Sequence, residues 1–100
     1  MFARVVTWEG ADPAVLDATT AAIRERLESE GGPPEGVPAT GMIMLTDRER
    51  GKTVMIALFA NEADRREGDA TLNSMSPPIE DGMGRRVSVE MLDVAAHMLP

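Results

Sequence analysis

Apolar and polar positions alternate, then change period, along the chain. Residues 2–8, "FARVVTW", are rich in β-branched and aromatic side chains and predict a strand. A period of two puts Phe2, Arg4, Val6 and Trp8 on one face, and Ala3, Val5 and Thr7 on the other. The period then lengthens. Leu16, Thr19 or Thr20, Ile23 and Leu27 recur at helical spacing. Asp12 suits the N-cap, where its carboxylate accepts a free N–H of the first turn. Pro13 suits the first helical position, which needs no N–H. Gly31 and Gly32 stop the helix, and "GGPPEGVPAT" follows as a loop with Gly or Pro at six of its ten positions.

Residues 42–59, "MIMLTDRERGKTVMIALF", predict a hairpin whose turn is "DRERGK", with Gly51 at a positive φ. Its strands do not alternate. Met42, Met44, Met55, Ala57 and Phe59 share one face; Ile43, Leu45, Val54, Ile56 and Leu58 share the other. A second helix begins at Asn61, an N-cap followed by Glu62 and Asp64 in the first turn. Its apolar stripe of Ala63, Ala70 and Met75 is thin, and Gly68 interrupts it. "SPPIEDGMG", residues 76–84, breaks the helix and is a candidate lid. The last strand, "RRVSVEMLDV", places Val87, Val89 and Met91 on one face and Arg86, Ser88 and Glu90 on the other.

The predicted order is strand, helix, strand, strand, helix, strand in a single domain spanning residues 1–100. That is the ferredoxin-like βαββαβ order of an α+β fold. Its helices cover one face of the sheet, yet the hairpin is apolar on both. Apolar burial contributes about 25 cal/mol per Å². Monomers rarely expose a patch that five large apolar side chains would make. A second copy packed through the open faces about a two-fold axis would cover it. The expectation is a homodimer that closes into a dimeric α/β barrel.

Composition narrows the function classes. Seventeen acidic and ten basic residues give a net charge of −7, which argues against nucleic acid as a partner. The adjacent pairs Arg65-Arg66 and Arg85-Arg86 read as solvated surface charge. With no cysteine, disulfides, thiol catalysis and Cys-based zinc sites are excluded. No run approaches the roughly 18 apolar residues of a membrane span. The N-terminus is too short and polar for a signal peptide, so the expected location is the cytoplasm.

The segments "LTDRERGKTVMIALFANEAD" and "RRVSVEMLDVA" resemble the central hairpin and closing strand of the dimeric α/β barrel superfamily, in its antibiotic-biosynthesis-monooxygenase-like branch. The resemblance covers nearly the whole chain and rests on texture and element order. It implies the ferredoxin-like dimeric barrel, and activities that range from cofactor-free oxidation of aromatic polyketides and haem degradation to isomerisation and ligand sensing. The residues that carry those reactions do not transfer. The first strand has no Asn, the second helix has neither His nor Trp, and the chain has no Tyr. Haem degradation is thereby set aside.

The candidate residues are few. His97 is the only histidine and hence the default base near neutral pH, although it lies close to the C-terminus. Trp8 could stack on an aromatic ligand. Met42, Met44, Met55 and Met91 would cluster on the sheet as a flexible, polarisable surface. Arg4 sits among apolar neighbours; it needs a partner such as Glu90 or Asp93, or else an acidic ligand. The alternating charges Asp47, Arg48, Glu49 and Arg50 read as a solvated hairpin tip. The expected function is binding of an apolar or aromatic small molecule between helices and sheet, at a site of Arg4, Trp8, Met42, Met44, Met55 and Met91. No cofactor and no metal are expected. Two alternatives stand beside it: a cofactor-independent monooxygenase using His97, and a purely structural dimer with no ligand.

Overall fold

The computed structural model of the protein describes residues 1–76 and 81–99. Six elements follow in order: β1 (Phe2–Glu9), α1 (Pro13–Glu30), β2 (Gly41–Asp47), β3 (Lys52–Phe59), α2 (Glu62–Ser74) and β4 (Arg85–Asp93). The strands form one antiparallel sheet in the order β2-β3-β1-β4, with the two helices beside it. This α+β arrangement is consistent with the ferredoxin-like fold expected from the sequence.

The caps work as the sequence predicts. The Asp12 carboxylate accepts from the N–H groups of Ala14 and Val15, and Gly31 takes the left-handed conformation at φ 68°. The Asn61 side chain accepts from the N–H of Asp64. Gly51 adopts φ 61° in the β2–β3 turn. Its carbonyl also accepts from the N–H of Ala11 at 3.1 Å, which ties the hairpin tip to the β1–α1 loop. The charged tip makes two exposed ion pairs, Arg48–Asp17 and Arg50–Asp47. Such pairs contribute little.

The register sorts the side chains. Phe2 pairs with Phe59, Arg4 with Ala57, Val6 with Met55 and Trp8 with Thr53. Met42 pairs with Ala57 and Met44 with Met55, whereas Ile43 pairs with Ile56 and Leu45 with Val54. Cross-strand partners share a face, so the division of the hairpin read from its sequence holds. The helix face carries the core. Phe59, Ala57 and Val37 are buried together, with Ala39, Met42 and Leu72 packed against them. From α1, Leu16 and Thr19 are fully buried, which settles Thr19 over Thr20.

Three expectations need correction. Ala63 and Ala70 are exposed, and Met75 is the C-cap of α2; the buried residue of that helix is Gly68. A Cβ at Gly68 would stand 2.5 Å from the Phe59 ring, so the missing side chain is what lets α2 descend onto the sheet. Arg65 is not simply solvated: it lies over the Phe2 ring, 5.1 Å from its centre, and donates to the carbonyl of Leu92 at 3.2 Å. Along β4 the pairing shifts between Thr7 and Trp8, so Ser88 and Arg86 oppose these neighbours and Val87 falls out of the strict alternation. Such a bulge re-aims the side chains after it.

Candidate functional site

The two helices approach the sheet differently. Residues of α2 come within 8 Å, Cα to Cα, of β1 and β3; among the described residues no Cα of α1 comes that close to a strand. Gly68 permits the first approach. The gap is a cleft of about 190 Å³. Met42 and Met55 line it from the sheet, Ile23 and Leu27 from α1, and Leu72 from α2. Trp8, at the end of β1, is half-buried and lines it too, as does the buried Met83 of the α2–β4 connection.

The polar part of the cleft is built around Arg4. Its place on β1, flanked by β3 and β4, puts it under α2 with only 5% of its side chain exposed. Arg4 Nε donates to Asp69 Oδ1 at 2.8 Å, and Nη2 donates to Asn73 Oδ1 at 3.0 Å. Asp69 and Asn73 stand four residues apart on α2, hence on one helical face. The same Asn73 oxygen accepts from Arg86 Nη1 at 2.9 Å. The partner expected on β4 is therefore corrected. Glu90 is paired with Val5 and lies on the opposite face, and Asp93 is paired with Phe2 at the far end of β1. The helix is the nearer source of a carboxylate. Arg86, read as plain surface charge, instead reaches into the cleft.

Of the six residues singled out for ligand binding, Arg4, Trp8, Met42 and Met55 line the cleft, whereas Met44 and Met91 do not. Met44 shares the helix face beside Met55, and Met91 lies next to Arg4 on β4, well exposed. His97 is exposed in the C-terminal segment and is not part of the lining. From the candidate lid, Ser76 and Met83 contribute to the cleft, and residues 77–80 lie outside the described residues.

Sequence reasoning missed Asp69, Asn73, Arg86 and Arg26, the last a further cleft residue on α1. A usable signal existed. A helix with a thin apolar stripe beside a strand with an inward Arg should be searched for polar residues at i and i+4.

Chemically, the cleft offers an apolar floor and wall, guanidinium groups, one amide and one hydroxyl. Among the described lining residues there is neither a carboxylate nor a histidine to act as a base. Among the described residues no cluster of His, Asp or Glu is arranged to hold a metal, and no helix is long and apolar enough to cross a membrane. Compared with known proteins, the chain matches no family model, no curated protein and no solved structure.

Proposed function

We propose that this protein binds a small apolar or aromatic molecule in the cleft between α1, α2 and the sheet, and does so as a cytoplasmic homodimer of the dimeric α/β barrel type. The carrying observation is the cleft itself. It is a cavity of about 190 Å³ with Trp8, Met42 and Met55 along one side and a fixed polar group, Arg4, at its edge. Mostly apolar lining with a few convergent polar groups is the usual make-up of a small-molecule site.

The dimer rests on the opposite face of the sheet. Ile43 is 40% exposed and Leu45 50%, and Leu92 of β4 is similarly open. Val5, Val54, Ile56 and Leu58 lie half-buried on the same side. The charges in register with this face nearly cancel: the acidic Glu9, Asp47 and Glu90 stand with the basic Arg85 and Lys52. A chain of net charge −7 thus keeps most of its charge off the surface a second copy would meet. The same pattern underlies the resemblance to the dimeric barrels.

Native mass spectrometry of the freshly purified protein tests both parts. A dimer carrying added mass supports them together, and the mass defines the ligand. A monomer at micromolar concentration counts against the barrel. A dimer that stays empty after exposure to small-molecule extracts counts against the ligand.

A further inference from the structure

The charges around the cleft narrow the class of ligand, a step that rests on the proposed ligand binding. Arg4, Arg26 and Arg86 all line the cavity. They are three of only ten basic residues in an acidic chain. Among the described residues no carboxylate lines the cavity, and one ion pair, Arg4–Asp69, serves the three arginines. Two of the guanidinium groups are held close together. Arg4 and Arg86 donate to the same Asn73 oxygen at 3.0 and 2.9 Å, so the two donor nitrogens lie no farther apart than the sum of those distances. Asp69 offsets the charge of Arg4, but the neutral Asn73 oxygen does not offset that of Arg86. Like charges this close favour an anion between or beside them. Guanidinium groups, with planar forked donors, suit a carboxylate in particular.

We infer that the ligand is an organic acid, a carboxylate on a single ring or a short acyl chain. Its acid group meets Arg4 and Arg86, and its apolar part rests against Trp8, Met42 and Met55. Size limits the apolar part. An apolar cavity of about 150 Å³ accommodates benzene, and this cleft is about 190 Å³. One ring or a chain of comparable bulk fits inside, with the acid at the arginine-lined edge. The net charge of −7 would repel an anion at long range, but salt screens that field beyond about 8 Å. The local arginines decide the affinity.

Trp8 is the only tryptophan and lines the cavity, so its fluorescence reports binding directly. Benzoate, phenylacetate, 3-phenylpropanoate, hexanoate and octanoate would be titrated beside their neutral amides, with protein NMR shifts as the second readout. At least one acid is expected to bind about tenfold tighter than its amide, a difference of about 1.4 kcal/mol. Arg86→Gln is expected to bring acid and amide to near parity. Arg86 is exposed, so the variant should fold; Arg26→Gln, also at an exposed position, is the second variant. An amide that binds as tightly as its acid overturns the anion preference and leaves the binding proposal standing. If no acid and no amide perturbs Trp8 or the NMR spectrum up to about 10 mM, weaker than roughly −3 kcal/mol, both are overturned.

Discussion

The two faces of the sheet use apolar residues in opposite ways. On the helix face, Phe59, Ala57 and Val6 are fully or almost fully buried, and the buried charge among them, Arg4, is partnered by Asp69 and Asn73. On the other face, Ile43 and Leu45 stand in the open. The two sets come from the same strands at alternate positions. The comparison teaches that a strand's sequence states how many faces will be covered, while the fold of one chain states which of them it covers itself. Here one chain covers the helix face over β1 and β3 and leaves Val89 and Met91 of β4 open.

The sharpest way to break the comparison is on the helix face. Phe59 is fully buried and touches α2 at Gly68. Phe59→Ala should cost about 3–5 kcal/mol, the usual range for a buried aromatic. That is much of the roughly 5–15 kcal/mol that holds a small domain together. A urea unfolding curve of the variant should show a midpoint lowered by at least about 1 M.

Arg4 comes next. Removing one partner of a buried pair costs about 3–5 kcal/mol, and Asp69 is 28% exposed, so the lower end of that range, about 3 kcal/mol, applies to Arg4→Ala. Arg4→Met keeps most of the stem's packing. It should lose clearly less than Arg4→Ala, because both free Asp69 equally and only the alanine leaves a cavity. Equal losses in the two melts would mean that charge, not packing, dominates at this position.

Gly68 tests the close approach of α2. In an exposed helix, Gly→Ala stabilises by about 1 kcal/mol. Here the new methyl would meet the Phe59 ring at 2.5 Å. Overpacking of this kind costs about 1–3 kcal/mol. The expected sign is reversed: Gly68→Ala should lower the melting temperature, by about 4–8 °C for each kcal/mol lost. A rise in melting temperature would show that α2 does not pack through Gly68.

These three positions also show what was legible beforehand. The element order, both N-caps, the turn at Gly51 and the two-sided hairpin were readable, because each depends on local chemistry or on a period of two. Gly68 read as a flaw because helix propensity is local, while its use depends on Phe59, nine residues away and on another element. Arg4 was recognised as needing a partner, but Asp69 lies 65 residues on and nothing in a single sequence pairs them. Trp8, Met42 and Met55 could be placed on the cleft's face from alternation alone. The cleft itself could not, since it comes from how far α1 stands off the sheet, and that is a matter of side-chain volume across two elements. Val87 escaped for a similar reason: one bulge resets the alternation after it.

The smallest expected effect on the subunit itself is on the open face, and it separates the two faces most cleanly. Leu45 is half-exposed, so Leu45→Lys should change the stability of one isolated subunit by no more than about 0.5 kcal/mol. Its effect on assembly should be larger. Burying the exposed half of this leucine contributes about 0.7–1.5 kcal/mol, and a two-fold interface counts it twice. Two lysines would also meet across that interface. The dimer should therefore weaken by at least about tenfold, from the loss of about 1.4 kcal/mol or more. Light scattering on a dilution series gives the dissociation constant, and melting temperature measured against concentration gives an independent check. For a dimer that temperature rises with protein concentration, by mass action. The parent protein should show the rise, and Leu45→Lys should show a flat line at nearly the same low-concentration value. If both proteins give flat lines, the open face is not where a second copy packs, and the apolar residues along β2 and β3 would have to serve a partner of another kind.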